Sequence, residues 1–425
     1  MASGVQGVSI RTRLAAVLGR GAGAASRRLG RGLGGTVAGR VALAVSPRAI
    51  ADLTSGRCVV LVSGTNGKTT TTAYCAAALG TRGPVLTNGQ GDNLLPGLAS
   101  ALVAGAREGA ATVVLEVDEF ALAPAIAQTQ PTMIVLLNLS RDQLDRSGEV
   151  AGHVTRWTAA LAAAPTAVVV ANADDPLIVS VVTAARPEHD IVQWVSVGGG
   201  WRGDSLLCSS CGAPLSGGTE FRCSQCGFSR PAASWVADAT GLHHLDGPVL
   251  TMDLGLPGRA NRSNAAMAVA TAAALGVAPE AAIAALGGLT SISGRYLTAE
   301  LGEHRVQFLL AKNPAGWMEA LDVIRAQESP VVVSINARTA DGKDPSWLWD
   351  ACFEKLRGRT VVVTGERRWD VAVRLEYAEV PHEVLPDPRT AVAGLPPGDC
   401  IFVANYTAFR DAQDELLQPQ RAGAR

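Results

Sequence analysis

The sequence predicts an α/β protein with a mostly parallel sheet in its central part and a second, smaller α/β domain after it. Short β-branched runs alternate with Ala-rich stretches of helical length, which is the pattern of βα units. The alternation stops at a segment rich in Gly, Ser and Cys and resumes in the last third of the chain. With 48% hydrophobic and 18% charged residues over 425 positions, the composition excludes wholesale disorder. No apolar run approaches the roughly 20 residues that cross a bilayer, so we expect a soluble protein.

The alternation divides the chain into predicted parts. Residues 1–57 form a basic arm, residues 58–294 a central domain with an insertion at 201–230, and residues 295–425 a C-terminal domain. Continuous apolar runs predict strands that helices cover on both faces. These strands are 58–62, 112–117, 133–138 and 167–171, followed in the C-terminal domain by 331–335, 360–364 and 401–404. The predicted helices are 69–79, 97–108, 150–163 and 261–286.

The first 57 residues are strongly basic, although the net charge of −1 for the whole chain gives no reason to expect nucleic-acid binding. This segment contains nine arginines and a single acidic residue, Asp52. Such an arm can lie near anionic lipid, or it can be a solvated segment folded onto the next domain. An organelle transit peptide is a third interpretation, whereas the absence of a compact apolar stretch disfavours a secretory signal. The arginines are Arg11, Arg13, Arg20, Arg27, Arg28, Arg31, Arg40, Arg48 and Arg57.

A Gly-rich loop directly follows the first predicted strand and precedes a predicted helix. Glycines let backbone N–H groups approach phosphates, and the helix N-terminus attracts negative charge, so this order suits a nucleoside triphosphate. Lys68, one of four lysines in the chain, would reach the β- and γ-phosphates, and Thr69 would offer its hydroxyl to Mg²⁺. The strict spacing of the common phosphate loop fails because its first glycine would fall on Val62. A Gly-rich turn without nucleotide is the alternative. The predicted ATP-binding residues are Gly64, Thr65, Asn66, Gly67, Lys68, Thr69 and Thr70.

A triphosphate site also needs an acid for the metal, and the strand at 112–117 supplies Glu116 near its carboxyl end. Ligands of open α/β sheets bind at that end of the strands. Glu116 is therefore the predicted Mg²⁺ ligand beside Thr69. Asp118 and Glu119 follow it, and their alternative interpretation is that of solvated loop acids.

Two pairs of cysteines lie in the insertion, with two residues inside each pair and eleven between the pairs. Four thiolates at this spacing are typical of a structural zinc ribbon, which leaves no open position for substrate. Disulfides are the alternative, which the lack of a signal peptide disfavours. The four cysteines are Cys208, Cys211, Cys223 and Cys226.

The loop and several later segments together resemble the Mur ligases, which form amide bonds through an acyl phosphate. The matching segments are 64–70, 138–146, 172–176, 261–266 and 294–295. In one departure, Gln143 stands where many Mur ligases have His. In another, no lysine lies between Lys68 and Lys312, which excludes the carbamylated lysine that many of them use in the central domain.

The second half resembles the C-terminal domain of the MurT family, a branch of the Mur ligases. The segments that carry this resemblance are 309–316, 340–350, 374–378 and 405–408. The resemblance implies an ATP-dependent synthetase that works with a GatD-like glutaminase on lipid II at the inner face of the cell membrane. The α-carboxylate of D-glutamate in the stem peptide would be phosphorylated and then attacked by ammonia.

The resemblance also implies roles for residues outside the loop. Asn261, and with it Asn264 three positions later in the same motif, would contact the adenine. Arg295 would stabilise charge, and Lys312 and Asn313 would lie near the ribose or the transferred phosphate.

The family's C-terminal domain is expected to lend an Asp that orients the catalytic His of the glutaminase, since a carboxylate fixes the imidazole tautomer. Asp344 is the predicted residue, and Asp341 and Asp350 are its nearby alternatives. The segment Asn336-Ala337-Arg338 stands where the family usually has Asn-Asp-Asn.

Two other functions fit parts of the sequence. A different Mur-type ligase that adds an amino acid or glutamate would share the first 294 residues, but it should carry the missing His and lysine. An ATP-binding scaffold that recruits a glutaminase would keep the loop and the C-terminal domain, but it would not need both Thr69 and Glu116.

Overall fold

A computed structural model of the chain describes residues 9–28, 35–88, 92–107, 109–141, 150–188, 191–200, 203–245, 247–256, 258–291 and 296–422. These residues divide into two units. The first unit comprises the described parts of 1–139, 150–255 and 259–290, and the second comprises those of 140–149, 256–258 and 291–425.

The first unit is built on an eight-stranded sheet. Its strands are β1 (Cys58–Ser63), β2 (Val85–Thr87), β3 (Thr112–Val117), β4 (Met133–Leu136), β5 (Val168–Asn172), β6 (Val192–Ser196), β9 (Trp235–Ala237) and β10 (Leu242–His244), while β7 (Leu215–Ser216) and β8 (Arg222–Cys223) form a separate antiparallel pair in the insertion. The order in the sheet is β10-β9-β6-β5-β4-β1-β3-β2, and every pair except β9–β10 is parallel. The inner strands are continuous buried apolar runs, as predicted.

The helices of the first unit are α1 (Ile10–Arg28), α2 (Gly35–Val45), α3 (Ala49–Thr54), α4 (Lys68–Gly80), α5 (Leu95–Ala104), α6 (Leu122–Thr129), α7 (Val150–Ala162), α8 (Pro176–Ala185), α9 (Arg259–Ala274) and α10 (Pro279–Gly287). The helical stretch predicted over 261–286 is not one continuous helix, because a turn separates α9 from α10. Gly276 adopts φ +82 in the turn between them, and Pro279, which has no N–H to donate, begins α10.

The basic arm is helical and packs onto the first unit. Gly19 of α1 lies so close to α2 that a Cβ there would stand 2.7 Å from the carbonyl oxygen of Ala38. Gly39 of α2 is closer still to α5, where a Cβ would stand 1.7 Å from the carbonyl oxygen of Pro96. Only glycine allows these two approaches, so α1, α2 and α5 form a continuous helical layer.

β1 lies between β3 and β4, although β2 and β3 follow it in the chain. The connection that follows β1 therefore runs toward β2, whereas the connection that follows β3 runs in the opposite direction, toward β4. In the register, Val62 pairs with Glu116 of β3, and Ser63 pairs with Leu136 of β4. The carboxyl ends of three neighbouring strands consequently meet at the position where open α/β sheets bind ligands.

The second unit is a six-stranded sheet with the order β11-β12-β16-β13-β14-β15. Only the β11–β12 pair is antiparallel among the paired strands that the structure describes. Its elements are β11 (Tyr296–Leu301), β12 (His304–Leu310), α11 (Pro314–Arg325), β13 (Val331–Ser334), β14 (Val361–Thr364), α12 (Arg368–Tyr377), β15 (His382–Val384), α13 (Pro388–Ala393), β16 (Gly398–Ala404) and α14 (Tyr406–Ala422). Alternate strand residues face two separate apolar cores, so helices cover both faces of this sheet.

Candidate active site

The Gly-rich loop joins β1 to α4 in the predicted order. Gly64 and Gly67 adopt φ +149 and +84, values that L side chains rarely take. A Cβ on Gly64 would stand 2.8 Å from Cβ of Leu137, and one on Gly67 would stand 2.5 Å from Oδ1 of Asn264. Both glycines are therefore required by backbone angle and by close approach. The loop leads into the N-terminus of α4, where backbone N–H groups favour an anion.

Asn138, which follows β4, holds the middle of this loop. Its Oδ1 accepts from the backbone N–H of Asn66 at 2.8 Å, and its Nδ2 donates to the backbone oxygen of Asn66 at 3.0 Å. The backbone N–H of Thr65 donates to the carbonyl oxygen of Asn138 at 2.9 Å. These three hydrogen bonds hold the loop against the end of β4 without the help of a ligand.

Lys68 is buried inside the loop and makes an ion pair. Its Nζ donates to Oε2 of Glu119 at 2.8 Å and to the carbonyl oxygen of Thr65 at 3.3 Å, and it also donates to the carbonyl oxygen of Gly64. Burial acts to lower the pKa of Lys68, but the charges of Glu119, Asp118 and Glu116 and the bond to Glu119 raise it above its ordinary value. The ammonium is therefore kept charged at the centre of the loop.

Thr69 and Glu116 are brought together from the predicted loop and the predicted strand end. The Thr69 hydroxyl donates to Oε2 of Glu116 at 2.8 Å, and Nδ2 of Asn93 donates to Oε1 at 3.0 Å. Asn88 holds the backbone of Glu116 with two bonds of 2.8 Å, one to its N–H and one to its oxygen. The Glu116 carboxylate is thus fixed from both ends.

This pair fits Mg²⁺, which prefers hard oxygen ligands. Adjacent ligands of an octahedral Mg²⁺ lie about 3 Å apart, given Mg–O distances of about 2.1 Å. The Thr69 and Glu116 oxygens lie 2.8 Å apart, and Glu116 is buried, so the two could occupy neighbouring positions around one ion. Water and phosphate oxygens would complete the shell.

The remaining predicted residues of the first unit have distinct places. Thr70 is buried on α4, and Asn261 is half-buried one turn before Asn264 on α9. Asn264 touches the loop directly, since its Oδ1 accepts from the Thr71 hydroxyl at 3.2 Å beside Gly67. Arg295 and Gln143 lie outside the described residues, so their predicted roles stay predictions.

Four residues that contact the site lie outside the predicted set: Glu119, Asn88, Asn93 and Asn138. A usable signal existed for Asn138, because it lies at the carboxyl end of a buried strand of the parallel sheet. Glu119, for which a solvated loop acid is the alternative interpretation, is buried against Lys68. Asn93 lies in a loop whose approach to Glu116 no local pattern indicates.

Lys312 and Asn313 lie in the second unit, between β12 and α11. Lys312 is half-buried, and Asn313 is buried. The Asn313 oxygen accepts from the backbone N–H of Gly316 at 2.9 Å and so caps α11, with Pro314 at the first helical position. Asn313 therefore has a structural task of its own.

The three candidate aspartates of the second unit are in different surroundings. Asp341 is buried and accepts from the backbone N–H of Thr407 at 2.8 Å and from its hydroxyl. Asp350 pairs with Arg141 at 3.1 Å. Asp344 is exposed, and it accepts hydrogen bonds from the backbone N–H and the hydroxyl of Ser346 at 2.9 Å each. Asp344 and Asp350 are therefore both exposed, and of these two it is Asp350 that pairs with an arginine.

A cavity of about 420 Å³ adjoins Asp344 at the surface of the second unit. Trp349 and Trp369 line it and are 54% and 63% exposed. Arg374 lies under this region, with its guanidinium 5.7 Å from the Trp349 ring centre and its Nη2 2.8 Å from Glu354. Asp344 therefore stands at the edge of an exposed aromatic surface.

The four cysteines of the insertion come together as predicted. Their sulfur atoms all lie within 4.8 Å of one another, and the pairs Cys208–Cys226 and Cys211–Cys223 are 3.5 and 3.4 Å apart. A disulfide needs about 2.05 Å, whereas thiolates on one tetrahedral Zn²⁺ lie about 3.8 Å apart. The cluster can therefore bind a metal ion.

Each cysteine pair closes a turn of the same form. In both turns the glycine after the second cysteine has positive φ, +77 at Gly212 and +78 at Gly227, and its N–H donates to the carbonyl oxygen of the first cysteine. Arg230, which ends the insertion, donates to the buried Asp174 at 2.9 Å. The cluster is thereby attached to the end of β5.

Comparison with known proteins identifies two regions of the chain. Residues 62–200 match the Mur ligase middle domain, and residues 310–409 match the MurT ligase C-terminal domain. The chain is 29% identical to the MurT subunit of lipid II isoglutaminyl synthase (glutamine-hydrolyzing) from Streptococcus pneumoniae, over 97% of this chain and 98% of that protein. It is 28% identical to the same-named subunit of Staphylococcus aureus, over 86% and 88% respectively.

Solved structures give the same fold. A pseudomurein peptide ligase type C from Methanothermus fervidus is similar with a TM-score of 0.67 at 19% identity, covering 86% of this chain and 79% of that one. MurF from Acinetobacter baumannii is similar with a TM-score of 0.65 at 18% identity, covering 90% and 80%. At these identities, the likeness establishes the Mur ligase-like architecture of the chain.

Proposed function

The chain belongs to the MurT family of Mur ligase-like proteins, and on this basis we propose that it is the ATP-dependent synthetase subunit of a lipid II isoglutaminyl synthase. The site around Lys68, Thr69 and Glu116 carries the proposal, because it places a buried cation and a candidate Mg²⁺ ligand pair beside a phosphate loop. The name of the relatives gives the substrate class, lipid II, and glutamine as the nitrogen source.

The proposed reaction has two steps. An oxygen of the D-glutamate α-carboxylate attacks the γ-phosphorus of ATP, which forms an acyl phosphate and releases ADP. Ammonia then attacks the acyl carbon, phosphate leaves, and a proton is lost, so that one carboxamide is formed. Phosphorylation is needed because a carboxylate oxygen is otherwise a poor leaving group.

The chain's own residues would act mainly by charge and alignment. Lys68 would stabilise the negative charge that develops on the transferred phosphoryl group, and Asn138 and the two loop glycines hold the loop in place for it. Mg²⁺, when bound at Thr69 and Glu116, would neutralise phosphate oxygens. We keep Asn261, Arg295, Lys312 and Asn313 as proposed contacts of the nucleotide or the transferred phosphate.

The proposed nitrogen source is a GatD-like glutaminase. Glutamine hydrolysis of this type needs an activated thiolate, and three of the chain's four thiols outside the metal cluster are poorly suited to that role. Burial raises the pKa of Cys75 to about 12 and that of Cys400 to about 11, and it also raises the pKa of the half-buried Cys58. The fourth, Cys352, is exposed. We propose that Asp344 orients the catalytic His of the partner.

We propose Zn²⁺ for the four-cysteine cluster, because four thiolates are its usual structural ligands. A closed site of this kind stabilises the fold and takes no part in amidation. The proposed place of action is the inner face of the cell membrane, since the substrate is anchored to lipid. No described helix is long and apolar enough to span a bilayer.

Mass spectrometry of lipid II would test the function. The chain is incubated with ATP, Mg²⁺, the cognate glutaminase and amide-¹⁵N glutamine, and in parallel with ¹⁵N-ammonium alone. We expect one labelled carboxamide on the stem glutamate, abolished by Lys68→Ala. A folded, metal-loaded protein that yields no amide with either nitrogen source would overturn the proposal. Incorporation of an amino acid instead would favour the other Mur-type ligase, and ATP binding without turnover would favour the scaffold.

A further inference from the structure

The outward face of α1 is apolar. Ile10, Leu14, Val17 and Leu18 are 86%, 53%, 55% and 45% exposed, and their spacing places them on one stripe of the helix. The opposite face is already used, because small residues such as Gly19 pack there against α2. A surface helix normally turns polar residues outward, so packing within the first unit does not explain this stripe.

Arginines border the stripe on both sides. At 100° per residue, Arg13 and Arg20 lie along one edge, Arg11 lies along the other, and Arg28 continues the stripe at its end. The helix contains no acidic residue. Asp52, the one acid among the first 57 residues, accepts from Thr12 at 2.5 Å and so lies on the packed side of the helix. Arg11 and Arg20 donate to the backbone oxygens of Val45 and Val103, whereas Arg13 and Arg28 are exposed. The outward surface is therefore apolar in the middle, with exposed positive charge at one border and at its end.

We propose that α1 binds the surface of an anionic lipid bilayer, with the apolar stripe in the boundary between headgroups and acyl chains and the exposed Arg13 and Arg28 at the lipid phosphates. Apolar burial and electrostatic attraction together give stable peripheral binding, whereas either alone gives weak binding. This inference rests on the proposed function only for its biological purpose, which is to bring the protein to a lipid-linked substrate.

The attachment of α1 makes it a rigid platform. Gly19 and Gly39 bring α1, α2 and α5 into backbone contact, and α5 begins two residues after Asn93. Asn93 in turn binds the Glu116 carboxylate. A bilayer that holds α1 consequently holds the first unit in one orientation, as a loose tether would not.

Vesicle flotation of the full chain tests the proposal. We expect wild-type protein to float with vesicles containing phosphatidylglycerol and not with pure phosphatidylcholine, with binding weakened by salt. Leu14→Glu/Val17→Glu should lower the partition coefficient by about tenfold or more. Val249→Glu is the matched control, because Val249 is 50% exposed elsewhere on the first unit, and it should bind like wild type.

A second variant keeps the test decisive if the first one misfolds. Arg13→Gln/Arg28→Gln changes two exposed side chains and should reduce binding to anionic vesicles while leaving the thermal unfolding midpoint unchanged. Equal binding by the folded variants and wild type, or equal binding of wild type to neutral vesicles, overturns the proposal. So does a variant that changes the sedimentation coefficient and not vesicle binding, because the stripe would then join two copies of the chain.

Amidation assays separate this inference from the proposed function. Lipid II in detergent micelles should be amidated equally by wild type and Leu14→Glu/Val17→Glu in the presence of the glutaminase, whereas lipid II in anionic vesicles should be amidated faster by wild type. Amidation in micelles without vesicle binding would overturn only the membrane inference. Vesicle binding without amidation in either setting would overturn only the proposed function.

Discussion

The ammonium nitrogen of Lys68 lies 2.8 Å from a carboxylate oxygen of Glu119, and the two side chains are only 3% and 10% exposed. Such a pair is strongly coupled, because each charge compensates the other where water cannot. A nucleotide phosphate that binds Lys68 competes with Glu119 for the same ammonium. Glu119 can therefore influence both the stability of the loop and its affinity for ATP.

Removing one partner of this pair should destabilise the chain more than removing both. Lys68→Met leaves the Glu119 carboxylate buried without its cation, and we expect the free energy of unfolding to fall by about 3–5 kcal/mol. Lys68→Met/Glu119→Gln should recover part of that loss. Urea denaturation measures both. Equal stabilities of the single and double variants would show that the two charges are not coupled.

The Thr69 hydroxyl is predicted to be required for metal-dependent turnover. Thr69→Val keeps the shape but removes the oxygen, so kcat/KM for amidation should fall by about 10²–10³-fold and the Mg²⁺ concentration for half-maximal rate should rise. Thr69→Ser, which keeps the oxygen, should stay near wild type. Initial rates across a Mg²⁺ titration distinguish these variants. An unchanged Mg²⁺ dependence in Thr69→Val would contradict the assignment.

Asp344 should matter for one nitrogen source only. If it orients the His of a glutaminase, Asp344→Asn should reduce glutamine-dependent amidation by about 10²-fold or more, since an amide favours the wrong tautomer. Ammonium-dependent amidation should be unchanged. Asp350→Asn is the matched control, because Asp350 is also exposed but is paired with Arg141. Equal loss with both nitrogen sources would instead indicate damage to the synthetase site.

Metal removal should affect stability before chemistry. We expect about one Zn²⁺ per chain by elemental analysis, and chelation should lower the thermal midpoint by roughly 5 °C or more. Cys211→Ser should behave like the chelated protein. Cys352→Ser is the control, because Cys352 is exposed but lies outside the cluster. Full zinc retention in Cys211→Ser would count against a four-thiolate site.

Protonation of His153 should weaken the fold in mild acid. Burial, and then the charge of Arg156, lowers the pKa of His153 below its ordinary value of about 6.5. The unfolded chain therefore binds the proton more readily, so stability is fully present above about pH 6.5 and is lost as pH falls through the folded pKa. Denaturation midpoints between pH 5 and 7 should show a shallower slope for His153→Gln. An unchanged slope would assign the acid sensitivity to other groups.

The central site was predictable where the chemistry follows the chain locally. The loop at 64–70 stands between a strand and a helix, and Glu116 ends an apolar run, so both were recognisable without contacts. Glu119 and Asn93 were not, because their roles depend on how two loops approach each other after folding. The burial of Glu119 reversed the expectation that charged loop residues are solvated.

The fold was predictable at the level of long elements. Strands of three residues, such as Val85–Thr87 and Leu242–His244, leave too short a pattern to distinguish from a loop, and the sheet holds them by pairing with longer neighbours. Gly276 and Pro279 mark the interruption within 261–286, but the sequence on both sides of them is rich in Ala, which favours a helix. The helix propensity of the whole Ala-rich segment therefore suggested one helix, although a Gly and a Pro interrupt it.

The placement of β16 has a consequence for synthesis of the protein. β16 lies between β12 and β13 and pairs with both, although it is the last strand in the chain. A nascent chain must therefore extend beyond residue 404 before this sheet can close, whereas all strands of the other sheet have been synthesised once residue 244 is made. Until β16 is made, β12 and β13 each have an unpaired edge on the side where β16 will lie. We therefore expect the second unit to be the part of the protein most exposed to aggregation and chaperone binding during translation.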